Sequence, residues 1–199
     1  MKRLLSILSL LLLTAGLVHA QTLPFQISQT IGSGSNESFL VVDFQDGTLN
    51  HSYLFGYRYD GAKTGADLLA AVAAQTTLTV GYYPGYSPSD GNALGVAPNL
   101  FSFNGHRQNA GTTFSNNYWS YWNASNGVNW TEANFGASST ALSNGSYDGW
   151  SWAFNVAYPQ VPPAPVTPRA AAVPEPSAAW LLLAGLPLMM KARRRARRS

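Results

Sequence analysis

The residues that could do chemistry in this chain are four carboxylates, two histidines and a dense group of aromatics. Asp60, Asp67, Glu132 and Asp148 are the carboxylates to weigh first. Hydrolysis of a glycosidic bond needs two such groups held about 5–9 Å apart, and no spacing in the sequence pairs them. Asp60 and Asp148 each precede a glycine and read as turn residues. Asp67 falls three positions after Thr64, which is capping-box spacing. Glu132 alone has no local explanation, so a hydrolase reading would rest on it. His51 and His106 lack a ligand partner at helical spacing and read as surface residues. No Gly-x-Ser-x-Gly elbow occurs, and Gly32-Ser33-Gly34 lacks the lysine of a phosphate loop. With no cysteine, disulfides, thiolate metal sites and a cysteine nucleophile are excluded. The expectation is a protein with no catalytic residue, no metal and no cofactor.

The aromatics carry the better functional argument. Five of the six tryptophans fall between Asn117 and Asn155: Trp119, Trp122, Trp130, Trp150 and Trp152. Tryptophan and tyrosine offer flat apolar faces with a polar edge, suited either to a core or to a sugar ring. Trp150, Trp152, Phe154 and Val156 alternate with Ser151, Ala153 and Asn155, which is a strand with one core face. The stretch Tyr118–Trp122 differs, because Trp119 and Tyr121 point one way and Tyr118 and Trp122 the other. Either this strand is central, or a ligand or partner covers one face. Trp119, Tyr121, Trp122 and Trp130 are therefore the candidate ligand contacts, with polysaccharide the candidate ligand.

The elements that must position these residues are mostly short strands. Phe39–Phe44 is apolar on both faces and reads as a buried strand. Tyr53, Phe55, Tyr57 and Tyr59 give the next strand an aromatic face. Thr64 to Ala74 reads as the one helix, capped by Thr64 and Asp67, with Leu68, Leu69 and Val72 as its apolar stripe. Strands follow at Leu78–Tyr82, Leu100–Phe103, Tyr118–Asn123, Val128–Phe135 and Gly149–Val156, with Asn126-Gly127 turning a hairpin. Residues 21–38, 83–98 and 108–117 read as loops. The fold class expected is mainly β with one helix, a small β-rich α+β domain over residues 21–158. The helix, Trp119, Tyr121 and Asn123, and the closing Asp148-Gly149, followed here by Trp150 where the family has aspartate, resemble the transcobalamin-like C-terminal domain over about Gly56 to Phe154. That resemblance implies a compact β-rich fold and, as an alternative function, binding of a corrinoid-type small ligand.

Both ends read as targeting segments. Lys2 and Arg3, the apolar Leu4–Leu13 and the ending Val18-His19-Ala20 form a secretory signal peptide over residues 1–20, cut between Ala20 and Gln21 by signal peptidase after passage through the secretion machinery. Residues 159–172 are rich in proline and alanine and read as an extended linker holding the domain clear of the membrane. The last residues, 173–199, combine Val173, Pro174, Glu175 and Pro176, an apolar run from Ala178 to Met190, and Lys191 with five arginines. Cations of this kind hold their end of a span in the cytoplasm. This three-part tail resembles the PEP-CTERM sorting signal of Gram-negative bacteria. The resemblance implies handling by an exosortase at Val173–Pro176 and an association with exopolysaccharide and biofilm. The apolar run is short, about 20 Å as a helix against a hydrocarbon core of about 30 Å.

Charge excludes one class of partner. The formal net charge is +3, but most of the basic residues lie in the two end segments. Between Gln21 and Ala172 four bases face eight acids, a net −4. No basic patch remains to neutralise phosphates, so no nucleic-acid partner is expected. The expectation is an exported protein, anchored in the inner membrane through its C-terminus before sorting and then placed in the cell envelope or outside the cell. Its domain is read as a non-enzymatic binding or structural module.

Overall fold

A sheet whose two faces are both apolar must be covered twice, and the fold follows from that need. The computed structural model describes residues 24–48, 50–90, 95–157 and 159–170. The signal peptide, the sorting motif, the apolar run and the basic tail lie outside the described residues. Nine strands and one α-helix make up the described chain: β1 (Ile27–Gly32), β2 (Asn36–Asp43), β3 (Ser52–Tyr59), α1 (Gly65–Gln75), β4 (Thr79–Tyr82), β5 (Pro98–Phe103), β6 (His106–Asn109), β7 (Tyr118–Ala124), β8 (Thr131–Glu132) and β9 (Tyr147–Ala153). The domain is mainly β. Among the described residues no helix is long and apolar enough to cross a membrane.

Six strands form one sheet in the order β1-β3-β2-β9-β7-β8, and β4-β5-β6 form a second. Neighbours pair antiparallel except β1 with β3 and β2 with β9, which are parallel. The pairing puts Leu40, Val42, Tyr53, Phe55, Tyr57, Trp150, Trp152, Trp119 and Tyr121 on one face, all buried. Leu68, Leu69 and Val72 of α1 and Phe101 of β5 close this face. Ring contacts link the layers, with Phe101 against Trp119 at 4.5 Å and Trp119 against Trp152 at 5.4 Å. The helix begins as its sequence dictates. Thr64 and Asp67 form a capping box, each side chain bonding the other residue's backbone N–H.

The opposite face carries Val41 and Leu54, both fully buried, and Trp122, 5 % exposed. Among the described residues no helix lies there. Its cover is the Pro-rich stretch, which is extended as expected but does not stand off the domain. Pro162, Pro165 and Thr167 are buried. The Val166 N–H donates to Asp43 Oδ2 at 2.8 Å, and Ser52 Oγ donates to the Val166 carbonyl. Thr167 Oγ1 donates to the Gly127 carbonyl, and Gln26 N–H to the Pro168 carbonyl. The Arg169 guanidinium sits 4.8 Å over the Phe25 ring. Strand β9 explains the fit. A Cβ on Gly149 would lie 2.6 Å from Pro165 Cγ and 2.8 Å from Trp130 Cζ3. Only a bare backbone lets the strap and Trp130 pack down on the sheet.

Several expected elements move. A strand, β1, occupies 27–32 in the stretch read as a polar loop; it is an edge strand, mostly exposed, so its residues need no apolar pattern. Strand β6 lies at 106–109 for the same reason, with exposed residues alternating along it. The strand read over 128–135 shrinks to Thr131–Glu132. The last strand runs 147–153 and not 149–156, so Phe154 is 73 % exposed, while Asn155 takes a left-handed turn conformation.

Candidate functional site

Asp148 is the centre of the most unusual polar cluster in the domain. It is not a turn residue. It lies inside β9, 2 % exposed, opposite Asn123 of β7 and beside Leu40 of β2. Tyr121, two residues before Asn123, shares their face. The Tyr121 hydroxyl donates to Asp148 Oδ2 at 2.6 Å, and Asn123 Nδ2 donates to Asp148 Oδ1 at 3.0 Å and to the Tyr121 oxygen at 3.3 Å. Thr140 hydrogen-bonds Tyr121 from the adjoining loop. The start of α1 closes over the cluster. A Cβ at Gly65 would lie 2.3 Å from both Asp148 Oδ2 and the Tyr121 oxygen, so this position has no room for a side chain.

Burial pushes the Asp148 carboxyl up to about 6, against the lowering effect of its hydrogen bonds from Tyr121 and Asn123. The Tyr121 hydroxyl is driven far above the ordinary phenol range by burial first and by the Asp148 charge second. No ion pair joins Asp148 to a cation among the described residues.

A cleft of about 420 Å³ opens onto this cluster at the end of β7 and β9. Asn123, Thr140 and Asp148 contribute to its lining, with Asn129, Thr131 and Tyr147 nearer the rim. Its walls are tied down on two sides. The 140–142 loop is held to the helix start, with Gly65 N–H donating to the Thr140 carbonyl and Leu142 N–H to the Lys63 carbonyl. The 143–146 turn is held to β2 by Ser38 Oγ donating to the Ser143 carbonyl and by Asn144 Oδ1 accepting from Glu37 N–H. The hairpin side is fixed by Asn126 Oδ1, which accepts from Val128 and Asn129 N–H. Tyr147 stacks on Phe39 at 4.7 Å. The lining therefore offers hydroxyls, amides, one aromatic ring and one buried carboxylate, and no basic side chain.

The aromatics expected to touch ligand sit elsewhere. Trp119, Tyr121 and Trp122 are buried by the protein itself, because β7 is a central strand covered on both faces. Trp130 is half-buried and packs over Gly149. Of the four, Tyr121 reaches the cleft's chemistry, through its hydroxyl. Glu132 is exposed on β8 and lines a separate cleft of about 420 Å³ with Tyr118, Ser115 and Gln160; among the described residues no second carboxylate lines it.

The histidines are not bare surface groups. His51 Nδ1 is 2.6 Å from Asp43 Oδ1, and His106 Nδ1 is 2.5 Å from Asp46 Oδ2. Burial raises Asp43 above the ordinary carboxylate value, opposed by hydrogen bonds from Val166, Gln45 and His51. At Asp46 burial is the largest single influence and acts upward, but hydrogen bonds from His106 and Thr48 together outweigh it and hold the carboxyl at about 2. Among the described residues no group of three or more potential ligands could hold a metal ion. Sequence reasoning set Asp148 aside because the Asp-Gly pair is a turn signal. The available clue was its distance from Asn123 across a tryptophan-rich pair of strands. Compared with known proteins, the chain matches no family model, no curated protein and no solved structure.

Proposed function

We propose that the chain is an exported cell-envelope protein, sorted by exosortase through Val173–Pro176, whose domain binds polysaccharide without chemical turnover in the Asn123–Asp148 cleft. The observation that carries the binding half is the lining of that cleft. Hydroxyl and amide groups held in place by backbone bonds match the hydrogen-bonding needs of a sugar, and Tyr147 supplies the one ring near the mouth. Preorganised walls lower the ordering cost of binding. The lining is polar with one aromatic ring, which favours saccharide over the broad macrocycle of a corrinoid. A hydrolase using Glu132 has less support, since its cleft is lined by a single carboxylate.

The sorting half rests on the tail sequence, with its Pro-Glu-Pro motif, apolar run and basic cluster in that order. Two experiments test the halves separately. Glycan-array binding by the full chain should weaken by about tenfold or more in Asn129→Ala/Thr131→Ala. Both residues are exposed, so the melting temperature should hold. An array on which the wild-type chain binds nothing refutes the binding half. Intact-mass analysis from hosts with and without exosortase tests the sorting half, which falls if Arg193–Arg198 remain on the mature protein in both.

A further inference from the structure

A buried carboxylate without a cationic partner is an electrostatic deficit that a ligand can correct. Asp148 is in that position. Its two oxygens accept from a phenol and an amide, both neutral, and its ion-pairing capacity is unused. The hydrogen-bond donors hold the carboxylate in place without neutralising it. Among the described residues no lysine or arginine lines the cleft above. Glu37 lies close enough to raise the neighbouring Tyr147 hydroxyl, after burial, by its charge. Glu37 is not part of the lining and faces Arg58 at 3.7 Å, so the acidic group of the cleft itself is Asp148, among neutral polar sides.

The geometry points to a saccharide carrying a protonated primary amine as the ligand of this cleft, with the ammonium group seated at Asp148 and the sugar hydroxyls on Asn123, Thr140 and Thr131. The inference rests on the reading of the cleft as a glycan site and narrows it to amino sugars whose nitrogen is free. An N-acetylated sugar has no charge to give Asp148, and its added acetyl group must be housed as well. A uronic acid brings a second negative charge to a floor that already has one, which costs affinity in a low-dielectric site. An ammonium gains a charge-assisted bond to each carboxylate oxygen it reaches.

The test is titration of the full chain in detergent with short oligomers of glucosamine, of N-acetylglucosamine and of glucuronic acid. Glucosamine oligomers should bind about tenfold or more tightly than N-acetylated ones, with glucuronate weakest. Asp148→Asn, which keeps the shape of the side chain, should abolish the difference. If that variant does not fold, the wild type answers alone. Glucosamine stays protonated in acid, so its affinity should fall as the pH drops below about 6, where the Asp148 carboxyl takes up its proton. The other ionisable groups around this site are Tyr121 on β7, Tyr147 on β9, Glu37 on β2 with Arg58 of β3 at 3.7 Å, and Lys63 and Asp67 at the start of α1. The tyrosines do not titrate in this window, and Asp67 is engaged with Thr64. Equal binding of free and acetylated oligomers at all pH values overturns the amine inference and leaves a glycan cleft standing. Failure of all three probes, with the glycan array also blank, removes the cleft reading and the inference together.

Discussion

The two faces of the six-stranded sheet are covered by different means. The first is covered by a capped helix and a second sheet, whose apolar residues recur with the period of their element. The second is covered by an extended strap, 162–169, that has no period at all. Each face also holds one buried carboxylate pushed upward by burial, Asp148 on the first and Asp43 on the second. Asp148 uses its bonds to shape a cleft, whereas Asp43 uses them to hold the strap through Val166. The lesson is that a chain can seal a sheet with backbone hydrogen bonds and prolines where regular structure would need another amphipathic element.

The sharpest way to break the comparison is to hollow the first face. Trp150 is 4 % exposed and touches Tyr121 and Phe101. Trp150→Ala should cost about 3–5 kcal/mol in chemical denaturation. A loss below about 1 kcal/mol would mean that the aromatic face is not the principal core.

The next effect isolates Asp148 by pH, since Asp43, also raised by burial, is present in both proteins compared. Asp148 titrates at about 6 when folded against an ordinary 3.8, so the folded state binds a proton more readily than the unfolded one. Stability from this group therefore rises as pH falls from 7 towards 4.5, and the gain ends once the unfolded chain is protonated too. At 1.36 kcal/mol per pKa unit the difference is on the order of 2–3 kcal/mol. Asp46, held at about 2, loses its contribution only at lower pH, below the ordinary 3.8, and does not oppose the change in this window. Wild type should gain stability between pH 7 and 4.5 relative to Asp148→Asn. Parallel curves for the two proteins would contradict the burial of an unpaired carboxylate.

Gly149→Ala tests the strap. The added methyl group would meet Pro165 and Trp130 well inside contact distance. One of them must move, at a cost of about 1–3 kcal/mol. Amide hydrogen exchange at Val166, whose N–H is held by Asp43, should quicken more than exchange in α1. Uniform quickening across the domain would place the damage in the sheet and not in its cover.

What could be read from the sequence divides along the same line. The aromatic face of β3, the capping box of α1 and the two-faced aromatic pattern of β7 were all visible, because each depends on residues two to four apart. The strap was not. Val166 meets Asp43, and Thr167 meets Gly127, only after the chain has folded back over many residues, and proline-rich composition argues for extension without saying what lies beneath. Asp148 failed for a related reason. An Asp-Gly pair has a local meaning as a turn, and the pairing with Tyr121 and Asn123 that overrides it comes from a distant strand. The candidate contacts Trp119, Tyr121 and Trp122 were placed on the right strand, but its central position in the sheet spends their faces on packing.

The smallest expected effect falls on the most legible feature. Thr64 accepts from the Asp67 N–H, and Asp67 Oδ2 accepts from the Thr64 N–H at 2.8 Å. Both groups are exposed enough for water to replace part of what is lost. Thr64→Ala should therefore cost only about 1 kcal/mol. Its position makes it informative nonetheless, because Gly65 follows at once and lies against Asp148 and Tyr121. If the cap merely stabilises α1, ligand affinity will be unchanged when stability falls. If the helix start also positions the lid over the cleft, Thr64→Ala will weaken binding while Leu142→Ala, on the neighbouring loop, gives a stability loss with binding retained. The two outcomes decide whether the periodic face and the cleft at its end are one cooperative structure or two.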